Sequence, residues 1–321
     1  MNVKKEYILL ALLIASSMAY LVFKPTDRIH YTLPGLKVVK AEDITKMEVT
    51  RAGHTTVLTK KDKSWYISGG NWRADQTKVS EMLDKLSGLT VTDLVSESKS
   101  YERYQLDNKN RVILKAFSNN TISRELSMGK TAPTNSHTYI RLPGDNKVYL
   151  ASGDLPRLFM APAAELRDML VLGFASELIT SIEILEAGKS TVLTKEELPL
   201  DKSQKEPAKG AVRLYIWKNG KGETVDKAII DPFLSGLSRI YCEKYLDDGM
   251  KASLVNPAIT LKLKGAKEYT LSIFEKTGEI LPAVSSGSES PFVFPGYKLE
   301  TLKKSLDEIM GRKVSNEKKQ Q

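Results

Sequence analysis

The sequence predicts an α+β protein: an N-terminal single transmembrane helix followed by two tandem copies of a mostly antiparallel sheet-plus-helix domain. Three observations carry that prediction. Residues 44–60 (ITKMEVTRAGHTTVLTK) and 179–195 (ITSIEILEAGKSTVLTK) agree at 10 of 17 positions at an offset of 135. Apolar and polar residues alternate through much of each copy, the period of a half-buried strand. The seventeen residues from Tyr7 to Phe23 contain no charge, proline or glycine.

In chain order, residues 1–24 read as a short cytoplasmic tail and a membrane anchor. At about 1.5 Å per residue the apolar run reaches the lower end of what spans a hydrocarbon core. Leu10 and Leu13 lie inside it, and Tyr7, Tyr20 and Phe23 sit at its edges, where interfacial rings are favoured. Lys4 and Lys5 flank the short side, which places the bulk of the chain outside the inner membrane. The competing reading is a cleaved signal peptide, with residues 8–15 as its apolar region and Ser17-Met18-Ala19 as its cleavage site. Cleavage there leaves an apolar Tyr-Leu-Val-Phe terminus. No cysteine follows the run, which excludes a lipoprotein.

Residues 25–43 read as a linker, 44–178 as the first copy, 179–310 as the second and 311–321 as a basic disordered tail. In the first copy, residues 47–51 and 56–59 form a hairpin across Ala52-Gly53-His54 and feed a third strand at 65–68. Asp75 caps a helix whose Val79, Met82, Leu83 and Leu86 share one face, and Gly88 closes it in a left-handed cap. Strands follow at 91–95, 111–117, 121–128, 138–142 and 147–151, with Pro143-Gly144-Asp145-Asn146 turning the last two. Asp154, with Pro156 behind it, opens a second helical stretch running to Leu170. In the second copy the counterpart is 299–310, stopped by Gly311. There Leu214-Tyr215-Ile216 answers Trp65-Tyr66-Ile67, and Leu234-Ser235-Gly236-Leu237 answers Leu86-Ser87-Gly88-Leu89. A polar insertion at 196–210 separates these matches from the first. Pro232 is expected near a helix amino end or at a kink.

The net charge of +9 is spread along the chain, as +2 over 1–43, +4 over 44–178, 0 over 179–310 and +3 over 311–321. No basic stripe interleaves with aromatic residues, so nucleic acid is not expected as a partner. One cysteine, Cys242, excludes an intramolecular disulfide and multi-cysteine metal sites, and with three histidines a His-rich metal site is not expected. No P-loop, dinucleotide fingerprint, His-Glu-x-x-His or Gly-x-Ser-x-Gly motif appears, and no catalytic residue, metal or cofactor is expected. His54 falls in a turn where the second copy has Lys189. His137 follows Thr134-Asn135-Ser136, but a Ser-His pair also needs an orienting acid and an oxyanion site. Asp247-Asp248 and Glu196-Glu197 read as solvated pairs, and Cys242 as a buried thiol. The loops holding Asn135 and His137, and Ser286 and Glu289, read as polar edges of equivalent position in the two copies, suited to a protein partner.

A set of motifs then carries a resemblance. It comprises Trp65-Tyr66-Ile67, Arg73-Ala74-Asp75 with Leu83 and Leu86, Tyr104-Gln105-Leu106-Asp107, Met128-Gly129, Tyr139-Ile140-Arg141, Val148-Tyr149-Leu150 and Leu166-Arg167-Asp168. Over about residues 44–310 the chain resembles the bacterial family named domain of unknown function 4340, departing at Gln105, where the family more often has glycine. The resemblance implies a membrane-anchored extracytoplasmic protein, often encoded beside a gliding-motility-type ABC transporter, and supplies no active site. The expected function is a non-enzymatic accessory protein that binds partners, with ABC transporter subunits foremost. The alternatives are a ligand-binding or sensing protein with a cleft between the copies, and, third, a cell-envelope hydrolase.

Overall fold

The computed structural model of the chain describes residues 5–23, 31–198 and 214–312, and in the first helix the side chains of residues 10 and 12–20. That helix, α1 (Lys5–Phe23), falls where the apolar run predicts it. Leu10, Leu13 and Tyr20 are exposed on it, whereas the side chains of Tyr7 and Phe23 lie outside the described residues. Among the described residues no helix is long and apolar enough to cross a membrane.

The chain divides into two compact units between Arg167 and Asp168. The first contains β1 (Lys46–Arg51), β2 (His54–Lys61), β3 (Ser64–Ile67), β4 (Trp72–Arg73), α2 (Gln76–Ser87), β5 (Val91–Ser96), β6 (Val112–Ser118), β7 (Thr121–Thr131), β8 (His137–Arg141), β9 (Val148–Ser152) and α3 (Leu155–Phe159). Its strands form one sheet in the order β4-β3-β2-β1-β6-β7-β8-β9-β5. Each neighbouring pair is antiparallel. Met47, Leu58, Leu114 and Leu126 point from this sheet into the core, where Val79, Met82 and Leu86 of α2 meet them.

The second unit repeats the design. It contains β10 (Leu170–Gly173), β11 (Ser181–Glu186), β12 (Lys189–Glu197), β13 (Tyr215–Asn219), β14 (Thr224–Val225), α4 (Lys227–Leu237), β15 (Arg239–Tyr241), β16 (Lys244–Tyr245), β17 (Ile259–Lys264), β18 (Glu268–Ile273), β19 (Pro282–Ser285), β20 (Ser288–Val293) and α5 (Gly296–Ile309). The sheet order β14-β13-β12-β11-β17-β18-β19-β20-β16 is that of the first unit strand for strand, and β10 pairs separately with β15. The expected join after residue 178 therefore lies inside the second unit, because β10 is held there by its pairing.

Registers show which residues correspond. Both hairpins turn on Ala-Gly in left-handed conformation, Ala52 and Gly53 at φ 47° and 81°, Ala187 and Gly188 at 48° and 75°. That geometry matches strand twist in a two-residue turn. Lys60 pairs with Trp65 and Lys195 with Trp217, so Trp217, not the neighbourhood of Leu214, answers Trp65. Both tryptophans are core residues. Asp75 and Asp226 cap α2 and α4, each accepting from the amide of the second helical residue. Val79, Met82 and Leu86 then answer Ile230, Phe233 and Leu237, all buried. The shared Leu-Ser-Gly-Leu is thus a coincidence of sequence, almost one helical turn out of register.

Three other expectations change. Gly88 sits at φ −86°, so α2 ends without a left-handed cap. The stretch from Asp154 stops at Phe159, and residues 163–166 make a 3-10 turn, because Pro162 lacks an amide and disfavours helix at the residue before it. Of the two places expected for Pro232, the structure takes the helix interior, inside α4, rather than the amino end. Residues 31–43 are no free linker: Val39 joins the first core, Leu33 and Leu36 pack on it, and Arg124 donates to the Lys37 carbonyl at 2.8 Å. At the far end, Gly311 stops α5 at φ 64° as expected. Arg312 is tied to Glu186 at 2.6 Å rather than frayed, and residues 313–321 lie outside the described residues. So does most of the polar insertion, although the Leu198 amide donates to the Leu214 carbonyl across it.

Candidate functional site

The two polar loops expected to face a partner occupy different places. Asn135 is exposed in the β7–β8 turn at φ 56°. His137, half-buried, begins β8 with its Nδ1 3.0 Å from Ser136 Oγ and 3.2 Å from Thr134 Oγ1. Hydroxyls and imidazole do come together there. Ser286, by contrast, lies in the β19–β20 turn and Glu289 at the start of β20, and the counterpart of that turn in the first unit is the β8–β9 turn at 142–147. Successive turns of an antiparallel meander lie at opposite ends of the strands, so the loops are not equivalent edges. The Ser286 loop is also held in place. Ser286 Oγ accepts from the Thr270 amide at 2.9 Å, Lys251 Nζ donates to the Glu289 carbonyl at 2.6 Å, and Ser285 Oγ donates to the Val171 carbonyl. Among the described residues, no three His, Cys, Asp or Glu side chains gather as a metal would require.

The resemblance motifs converge on the frame of the first unit. Trp65 and the Arg73-Ala74-Asp75 segment meet where the Ala74 amide donates to the Trp65 carbonyl at 2.9 Å. Gln76 adds a bond between its Oε1 and the Trp65 amide at 2.9 Å. Leu166-Arg167 closes the same edge: the Asp75 amide donates to the Leu166 carbonyl at 2.8 Å, and the Arg167 guanidinium stacks 4.3 Å over Trp72. On another part of the unit, Tyr104, Leu106 and Val148 form a satellite cluster with Tyr139, whose ring lies 4.8 Å from that of Tyr104. Gln105 turns the chain at φ 57°, a left-handed conformation that suits glycine better than glutamine. Gly129 is fixed by contact, since a Cβ there would stand 2.0 Å from the Tyr104 carbonyl oxygen. Beside the cluster, Tyr149 donates to Asp145 at 2.7 Å. Burial first, and then this bond, push the phenol up to about 12. The Lys147 amide, then the Tyr149 hydroxyl, hold the Asp145 carboxyl below its usual range.

Concave surface occurs in both units: in the first, an open polar pocket of about 670 Å³ is lined by Tyr101, Arg103, Asp107 and Arg141, and two more lie in the second. A small groove of about 170 Å³ runs between α4 and α5 over Phe233, Leu237 and Leu302, with the exposed Tyr297 at its mouth. A larger cleft of about 710 Å³ opens at the Ala187-Gly188 turn. Its apolar floor includes Ile273, Phe274 and Leu281, each under a tenth exposed, and Leu299 of α5. Lys189, Lys276 and Lys303 stand at its rim with Glu275, and none of the four side chains has a hydrogen bond or ion pair among the described residues. Arg312 also lines it but is engaged by Glu186 and Asp307. Sequence reading missed this cleft, because its walls come from a hairpin turn, the loop after β18 and α5, segments with no shared motif. The one available signal was the break in alternation after Ile273, where a second consecutive apolar residue, Phe274, precedes charges.

Two copies of one nine-stranded antiparallel sheet, each with helices on its core face, define a duplicated α+β protein whose motif residues hold its frame. The family described as Domain of unknown function (DUF4340) matches residues 65–257, more than half of the chain, and the chain belongs to that family. No curated protein matches the chain, and no solved structure does.

Proposed function

We propose that the protein is a non-enzymatic accessory subunit, anchored in the inner membrane by α1, whose two extracytoplasmic units bind protein partners. The partners we favour are subunits of an ABC-type export complex, as the family resemblance implies. The observation that carries the reading is the surface of α1. Leu10, Leu12, Leu13, Ile14 and Met18 are each more than half exposed there. Removing five such side chains from water is worth on the order of 10 kcal/mol, a gain that a bilayer supplies and water withholds. The described side chains, residues 10 and 12–20, are fewer than a bilayer needs, but the uncharged run of seventeen residues supports a span. The exposed Tyr297 beside the α4–α5 groove supports a docking role, since aromatic anchors over apolar grooves are favoured in interfaces.

The test is crosslinking in cells of a C-terminally tagged chain, followed by mild detergent extraction and mass spectrometry, with a chain lacking residues 1–24 as control. Transporter subunits captured from the membrane fraction by the full chain, and lost with the control, are the expected result. Recovery of the full chain in the soluble fraction overturns the anchor. Recovery from membranes without transporter subunits overturns the accessory role.

A further inference from the structure

The cleft at the Ala187-Gly188 turn combines three features that a solvated surface does not need together. Its volume of about 710 Å³ lies in the range of small-molecule sites. Phe274, 7% exposed, and Leu281, 6% exposed, give it a closed apolar floor. The rim carries three lysines without a partner against one such carboxylate, Glu275, which leaves a positive mouth over an apolar floor.

The first unit lacks this arrangement. Pairing of Met128 with Ile140, and of Ile273 with Ala283, puts Gly129 at the position of Phe274. There the Tyr104 carbonyl leaves no room for any side chain. The hairpin residue answering Lys189 is His54. The copies share a frame and differ here, as expected where one copy has acquired a ligand.

We infer that the cleft binds an anionic amphiphile: one hydrocarbon chain on the floor of Phe274, Leu281 and Leu299, and a carboxylate or phosphate head between Lys189, Lys276 and Lys303. The lysines supply charge that a head group neutralises, and the floor supplies apolar area that a free inorganic anion leaves unused. Lysines at an open mouth act as point charges, so binding weakens as salt shortens the Debye length. This inference stands independently of the transporter partner.

The experiment uses the full chain in nanodiscs of zwitterionic lipid and a hexadecanoic acid carrying a diazirine at its chain end. After photolysis, labelled peptides are mapped by mass spectrometry, and labelling of α1 from the bilayer serves as an internal reference. Expected is labelling of peptides containing Phe274, Leu281 or Leu299, suppressed by unlabelled hexadecanoate or by a single-chain lysophosphatidate. The more effective of the two identifies the head group. The methyl ester of the same acid should not compete. The triple variant Lys189→Glu, Lys276→Glu, Lys303→Glu should lower cleft labelling at least tenfold while α1 labelling and the melting temperature stay unchanged. Phe274→Ala is the second variant, and it should also lower labelling. Labelling confined to α1, equal competition by the methyl ester, or full labelling of the triple variant overturns the inference. So does displacement by an acidic apolar peptide without displacement by either amphiphile.

Discussion

Gly129→Ala is the sharpest perturbation available in the first unit. The new Cβ would lie 2.0 Å from the Tyr104 carbonyl oxygen and 3.1 Å from Leu106 Cγ, whereas real Cβ contacts are essentially never under 3.0 Å. The obstacle is backbone, held by the Tyr104 amide bond to the Tyr101 carbonyl and the Leu106 amide bond to the same oxygen. Relief requires about 1 Å of movement by a turn whose Tyr104 and Leu106 are packed against Val148, and overpacking of this kind costs about 3 kcal/mol. For a unit of this size that lowers the melting temperature by about 10 °C. The assay is a thermal scan of the full chain in non-ionic detergent with tryptophan emission, together with hydrogen exchange resolved by peptide. Trp65 and Trp72 report on the first unit and Trp217 on the second. Residues 101–107 should lose protection while the second unit keeps its transition. Gly35→Ala, where the new Cβ meets nothing, is the matched control. A Gly129→Ala chain that melts within about 2 °C of its parent, with residues 101–107 still protected, would refute the packing argument.

Two further outcomes follow from the caps and from the buried phenol. Asp75 accepts from the Thr77 and Lys78 amides and Asp226 from the Ala228 amide, so Asp75→Ala and Asp226→Ala should each cost about 1 kcal/mol, read as a drop in urea midpoint of the unit concerned. Tyr149, raised to about 12 in the fold, contributes stability that is complete below about pH 10 and is lost as pH climbs through 12. Asp145 behaves oppositely, contributing above about pH 4 and losing its contribution as pH falls through its lowered folded value. Tyr149→Phe should therefore flatten the alkaline limb of a urea-midpoint profile and leave most of the acid limb, because the Lys147 amide still donates to Asp145 at 2.9 Å.

What was legible in the sequence follows from what strand pairing imposes locally. The 44–60 and 179–195 repeat was readable because a hairpin fixes turn residues and side-chain alternation within a short window. The strand positions from 91 to 152 were readable for the same reason. The slip between Trp65 and Leu214 arose beyond the insertion, where nothing local records register and only pairing to β12 identifies Trp217 as the partner. Helix matching then inherited the error, since leucines one turn apart look alike in a pattern of period 3.6. The two polar loops were misjudged as equivalent because strand count, not composition, decides which end of a meander a turn occupies. His137 and its hydroxyl neighbours were found together because they adjoin in sequence. The cleft was not found because its walls are distant in sequence.

That contrast also bears on where function sits. The motifs that carry the family resemblance hold the sheet edge at Trp65 and Ala74, the turn at Gln105 and the contact at Gly129, so they mark a requirement of folding. The strand order is the same in both units, and each core is assembled from corresponding strands and a corresponding helix. A duplicated frame needs only one copy to bear a given surface, and a surface used by one copy is free to be lost from the other. The positions that differ most in physical character are therefore more informative about binding than those that agree. By that criterion the short α3 against the fourteen-residue α5, and Gly129 against Phe274, are the differences on which the site we infer in the second unit rests.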